Sequence, residues 1–259
     1  MEGLIRGVVF DAFGTLVQIG EGTHPYRQLL KIGRKNGRRP MPSDIHRIMN
    51  SPLVLAKAAK AFGITTNAAE LLAIEADLAR ELASIKAYED GLYAVQKLLD
   101  AGIKVGICSN LGMPYVEPVK RLYPGLSYSM SCEVGDMKPS LRIYQHACDQ
   151  LGLQNFEVAM IGDSLRCDKQ GPDVFGLRGY FLDRNAGLGD YSNLRDFADD
   201  MVIPSACRVV HHMMGIQHHR QPLRFCQLFT LGVTNIEIDP PPLTYQAKLG
   251  VGKELMREG

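Results

Sequence analysis

The stretch VVFDAFGTL, Val8 to Leu16, decides the fold. Its apolar residues run straight into Asp11, and Gly14 and Thr15 follow at once. A short apolar run that stops at a turn reads as a buried strand, here beginning near Leu4 and carrying a carboxylate at its end. The same unit recurs further along. Ile103 to Cys108 ends at Ser109 and Asn110, and Phe156 to Ile161 ends at Gly162, Asp163 and Ser164. Helical patterns stand beside these runs: Glu89 to Asp100 is one, and Ser140 caps another that reaches about Leu151. Strands alternating with helices predict an α/β fold with a parallel sheet.

Outward from Thr15 the texture changes. As far as Tyr88 no strand is convincing, and helical pattern is broken by Gly37, Pro40, Pro42 and Pro52. Leu71, Ile74, Leu78, Leu82 and Ile85 form one apolar stripe, with Asn67 and Glu70 spaced as a capping box at its start. The expected organisation is therefore a core of residues 1–15 and 89–203, interrupted by an all-helical insertion at 16–88. Residues 204–259 form an extension in which Pro204 and the Pro240 to Pro242 run break any long periodicity, and Val233 to Ile238 is one candidate strand. His211, His212, His218 and His219 lack carboxylates or cysteines at ligand spacing, so they read as exposed loop rather than a metal tract.

Composition narrows the classes. A chain of 259 residues, 46% hydrophobic and 22% charged, is an ordinary globular protein long enough to bury a large core. A formal charge of +1 argues against general nucleic-acid affinity. No apolar run approaches the roughly 18 to 20 residues of a membrane span, and Met1 to Phe10 lacks a signal-peptide layout. The expected setting is cytoplasmic and the expected partner a small anionic substrate, neither nucleic acid nor membrane; nothing in the sequence bears on oligomeric state. Six cysteines without a CxxC pair suit free thiols. From His24 to Lys60 nine basic residues accompany one acid, Asp44, while Ala61 to Asp100 holds seven acids and three bases. This contrast is either a positive surface that steers an anionic substrate or two solvated helix faces of opposite sign.

In open parallel sheets ligands gather outside the carboxyl ends of the strands, where this chain places Asp11, Ser109, Asn110 and Asp163. Any one of them reads equally as a turn or cap residue. Together with Lys138 before Pro139, they point to a site.

Four segments in order resemble the haloacid dehalogenase superfamily. VVFDAFGTL is similar to its first motif, CSN (Cys108 to Asn110) to its second, DMKPSLRIY (Asp136 to Tyr144) to its third and IGDSLRCD (Ile161 to Asp168) to its fourth. The resemblance covers about residues 4–203. It implies a Rossmann-like parallel core with a helical cap inserted after the first motif, and a hydrolase working through a covalent ester on Asp11. It further implies that Ser109 donates its hydroxyl to a substrate oxygen and that Lys138 offsets negative charge. Thr15, Ser109 and Asn110 become the expected substrate contacts. Asp11, Asp163 and Asp168, with the backbone carbonyl of Phe13, become the expected ligands of Mg²⁺, since clustered carboxylates need a cation to join them.

Phe13 departs from the pattern. Phosphatases of the superfamily mostly carry a second aspartate there as general acid and base, and phenylalanine cannot move a proton. His24, Tyr26 and Tyr115 are the nearest substitutes by type. An aromatic residue at this place resembles the dehalogenase branch, whereas Gly162, Asp163, Ser164 and Asp168 preserve the acidic pattern of the metal-dependent branch. The leading reading is a Mg²⁺-dependent phosphatase of a small phosphorylated metabolite. The alternatives are a metal-independent 2-haloacid dehalogenase and a catalytically weak member that binds phosphate or a protein.

Overall fold

Val8 and Phe10 point into one apolar cluster and Val9 into another, because successive side chains of a strand leave on opposite faces. A strand buried on both sides needs cover on both. In the computed structural model, which describes residues 4–202, β1 (Gly7–Phe10) is accordingly the middle of a five-stranded parallel sheet. Counted along the chain with the insertion included, the strands are β2 (Val17–Ile19), β3 (Ile85–Ala87), β4 (Lys104–Ser109), β5 (Ser127–Met130), β6 (Val158–Gly162) and β7 (Arg178–Phe181). The large sheet runs β5-β4-β1-β6-β7. Phe10 pairs in register with Ile107 of β4 and Ile161 of β6, which brings the ends of all three strands to one edge.

The helices are α1 (Pro25–Lys35), α2 (Ser43–Met49), α3 (Leu55–Ala61), α4 (Ala68–Ala83), α5 (Glu89–Asp100), α6 (Val116–Leu122), α7 (Ser131–Val134), α8 (Leu141–Leu151), α9 (Gly171–Phe175) and α10 (Leu194–Val202). Ala94 and Leu98 of α5 and Phe197 of α10 cover the face that carries Phe10, while Ile143, Tyr144 and Leu151 of α8 cover the face that carries Val9. Ser140 caps α8 as its spacing predicts, and Asn67 with Glu70 forms the reciprocal capping box of α4. The four described cysteines are free. Among the described residues no helix is long and apolar enough to cross a membrane.

Helices α1 to α4 make up most of the insertion and pack around their own cluster of Leu29, Ile48, Leu55, Ala58, Phe62 and Ile74. The expectation that residues 16–88 are wholly helical is corrected at both ends. Val17–Ile19 and Ile85–Ala87 pair antiparallel as a ribbon where the chain leaves and re-enters the core, so Ile85 belongs to a strand and not to the stripe of α4. Three residues are too few to show a period of two. The basic stretch is largely solvated: of its nine cations only Arg38 is half-buried, paired with the buried Asp44. The extension, its histidines and the candidate strand Val233 to Ile238 lie outside the described residues.

Candidate active site

Asp11 follows β1 and is 8% exposed. Lys138, from the loop before α8, is almost fully enclosed and donates from Nζ to Asp11 Oδ1 at 2.7 Å and to Asp168 Oδ1 at 2.6 Å. Burial works against the ammonium ion, but the two carboxylates outweigh it and hold its pKa well above the usual value. A permanent cation thus bridges the end of β1 and the turn that follows β6. Its backbone is set by Asn110: Asn110 Nδ2 donates to the Lys138 carbonyl at 2.9 Å and Asn110 Oδ1 accepts from Lys138 N–H at 2.8 Å.

Asp168 lies in a π-helical turn, Leu165–Gln170, a local widening that often marks functional positions. Its Oδ2 accepts from Ser164 N–H at 2.9 Å. Burial raises its pKa despite the pull of Lys138. Carboxylate oxygens of Asp11, Asp163 and Asp168 lie within 4.8 Å of one another. Partial loss of solvent and the charges of Asp11 and Asp168 push Asp163 up to about 6. Since Asp163 is exposed at the rim, the neighbouring charges are the cause that the geometry supports best.

Two glycines make this approach possible. A Cβ on Gly14, whose φ of +79° already disfavours other residues, would sit 2.0 Å from Asp163 Oδ2, and one on Gly162 would sit 2.3 Å from Asp168 Oδ2 and 2.7 Å from Asp11 Cβ. Three carboxylates face one ammonium, so a divalent cation is what would restore neutrality, and hard oxygen donors suit Mg²⁺. The residues fit such an ion. The Phe13 carbonyl accepts none of the loop's hydrogen bonds and keeps its lone pairs.

The remaining expected contacts divide. Ser109 ends β4, nearly buried, and its hydroxyl makes no hydrogen bond among the described residues. Thr15 is fully buried, its hydroxyl has no hydrogen-bond partner among the described residues, and its carbonyl accepts from Arg184 Nη2 at 2.7 Å. Asn110 meets the insertion-side cavity, but both its amide atoms are engaged by Lys138. Cys108 lies beneath the site with its thiol pushed up to about 12 by burial, which makes it inert.

Two groups had no signal in sequence. Arg184, beyond β7, donates to the carbonyls of Gly14 (3.1 Å) and Thr15, pairs bidentately with Asp90 at 2.7 and 3.1 Å, and stacks 4.1 Å from the centre of the Tyr88 ring. Glu81, buried on α4, accepts from Tyr115 O–H at 2.6 Å on one oxygen and from Thr23 N–H, Thr23 O–H and His24 N–H on the other. These bonds outweigh burial and hold its carboxyl below the ordinary range. They also secure His24, which enters α1 with a φ of 55° that residues other than glycine rarely adopt.

Comparison with known proteins agrees with this assembly. The family model of the haloacid dehalogenase-like hydrolases matches residues 5–172. A HAD phosphatase from Thermococcus onnurineus is 21% identical and aligns over 76% of this chain and 98% of its own, with a TM-score of 0.52. A HAD family enzyme from Bacteroides thetaiotaomicron, solved as a magnesium complex, is 15% identical over 72% of this chain and 97% of its own, with a TM-score of 0.53. An L-2-haloacid dehalogenase is 21% identical over 76% and 98%, with a TM-score of 0.49. At these identities the likeness concerns the fold. No curated protein sequence matches the chain. With the family model spanning well over half the sequence and the strand ends converging on Asp11, the chain belongs to the haloacid dehalogenase-like hydrolases.

Proposed function

We propose that the protein is a Mg²⁺-dependent phosphomonoesterase that acts on a small phosphorylated metabolite, with the helical insertion as its cap. The observation that carries this reading is the set of three carboxylates gathered around one lysine. Lys138 occupies Oδ1 of Asp11, which leaves Oδ2 to attack phosphorus. The bond from phosphorus to the ester oxygen breaks, the alkoxide or phenoxide departs, and water then hydrolyses the phosphoryl group from Asp11. Ser109 donates its free hydroxyl to a phosphoryl oxygen, and Lys138 balances the growing negative charge. Asn110 acts through Lys138, fixing the peptide from which the ammonium reaches. Asp11, Asp163, Asp168 and the Phe13 carbonyl would hold Mg²⁺, which when bound neutralises phosphate charge and orients the ester.

A metal-independent dehalogenase is the second reading, favoured by Phe13, whose ring meets Tyr115 edge to face at the wall of an apolar cavity. One panel separates the two: aryl and alkyl phosphates and 2-haloacids, each with and without Mg²⁺, alongside calorimetry of Mg²⁺ binding. Expected are phosphate release that requires the metal, and Mg²⁺ binding that Asp163→Asn weakens at least about tenfold. Halide release without metal, or no binding at millimolar Mg²⁺, overturns the proposal.

A further inference from the structure

Between the helical insertion and the carboxyl edge of the sheet lies a cavity of about 280 Å³. Phe13 and Asn110, sequence neighbours of the nucleophile loop and of Ser109, form part of its wall, and the exposed His24 and Arg27 belong to it on the insertion side. The rest is mainly apolar, with Tyr26, Ile48 and Leu111 prominent. We infer that this cavity takes the organic part of the substrate, and that this part is a single ring or branched apolar group bearing a second anion, a carboxylate, which Arg27 holds. The inference rests on the phosphomonoesterase reading above and narrows its substrate class.

Three observations lead there. The volume lies just below the usual range of ligand sites, about 300 to 1,000 Å³, so it suits one ring rather than a nucleotide. Apart from His24 and Arg27 at the exposed side, the polar side chains of the wall are already spent within the protein. Tyr26 O–H donates to the Leu53 carbonyl at 2.5 Å, Tyr115 O–H to Glu81, and Asn110 is engaged at both amide atoms. Along the apolar part of the wall a polyol would leave hydroxyls unpaired, at roughly 1–3 kcal/mol each, whereas an apolar body needs no such partners. Arg27, finally, has no ion pair or hydrogen bond among the described residues, and a guanidinium is the donor best shaped for a carboxylate. Glu81 also touches the cavity. Its charge is taken up by four hydrogen bonds beside the positive end of α1, so Arg27 sets the sign at the exposed side.

The test uses the full chain with Mg²⁺ and pairs of probes that differ only in the distal carboxylate. Benzylphosphonate and 4-carboxybenzylphosphonate are compared by calorimetry, and phenyl phosphate and 4-carboxyphenyl phosphate by turnover. Expected is about tenfold tighter binding of the carboxylated phosphonate, and a matching preference in kcat/KM. Arg27→Gln should bring the two phosphonates to within about twofold, and Arg27→Lys should keep part of the gap. Arg27 is exposed, so both variants should fold. Equal affinity for the two probes in the unaltered protein, a preference that survives Arg27→Gln, or faster turnover of a sugar phosphate overturns the inference while phosphatase activity stands. If no phosphate ester is turned over, the underlying reading fails and the inference falls with it.

Discussion

At position 13 a phenyl ring stands two residues beyond Asp11, the proposed nucleophile, and it has no proton to give, while the two phenols beside it are engaged elsewhere. Tyr115 commits its hydrogen to Glu81 and Tyr26 commits its own to a carbonyl; burial first, then neighbouring negative charge, raises both phenols. General acid catalysis is worth roughly 10² to 10⁴ in rate, so an ester whose leaving oxygen needs a proton should react slowly. In steady-state assays an aryl phosphate should therefore exceed an alkyl phosphate by more than about a hundredfold in kcat/KM, and Phe13→Asp should narrow the margin, with circular dichroism confirming the fold. Equal rates on the two esters would show that another group donates. Single residues stood out where type and strand position coincide, as at Asp11 and Asp163, while Lys138, in the loop before α8, stood out only through the motif around it. A threonine at a strand end, such as Thr15, reads the same in sequence whether its hydroxyl meets a ligand or the interior; here it is fully buried.

Arg184 joins elements that are far apart in the chain: the loop after β1, the start of α5 through Asp90, and α10, whose Leu194 N–H also donates to Asp90 at 2.9 Å. Truncating such a partly buried pair leaves two carbonyls without this donor and Asp90 without its countercharge. Arg184→Ala should cost about 3 kcal/mol in urea denaturation, and Arg184→Lys should recover only a fraction, since an ammonium cannot span the same fork. A full recovery by lysine would show that charge alone matters there. No pattern announces such a residue, because its partners are set by tertiary approach. The strands divide in the same way. β1, β4 and β6 were legible as buried apolar runs, while β5 (SYSM) and β7 (RGYF), at the sheet edges, carry too few apolar residues to stand out. Helices α4, α5 and α8 show full periodicity or caps and were found nearly to the residue.

Across the molecule, acid acts on several anchors at once. The Arg38 hydrogen bonds hold Asp44 below the ordinary carboxylate range; at Glu81 and Asp90 burial opposes the charge, but hydrogen bonds from Tyr115, Thr23 and His24, and from Arg184, prevail. A carboxyl depressed on folding stabilises fully above its unfolded pKa, about 4, and loses that contribution as pH falls through the folded value. Asp163 runs the other way: raised to about 6, it costs the metal-free protein stability as pH climbs from about 4 to about 6. Without Mg²⁺ the Tm should thus rise slightly as pH drops from about 7 to about 5 and fall below about 4, and saturating Mg²⁺ should level the upper part. A Tm that is level above about pH 5 without the metal would contradict the crowding of carboxylates. The ribbon of β2 and β3 adds a mechanical side to this design. The chain departs from the catalytic floor just past Thr15 and returns at Tyr88, whose N–H donates to the Leu16 carbonyl at 2.9 Å, so any swing of the insertion delivers its torque to the residues next to Asp11. Arg184 grips the carbonyls of Gly14 and Thr15 at that point, and Tyr123 O–H holds Leu16. A load carried along the ribbon therefore meets these contacts before it reaches Asp11.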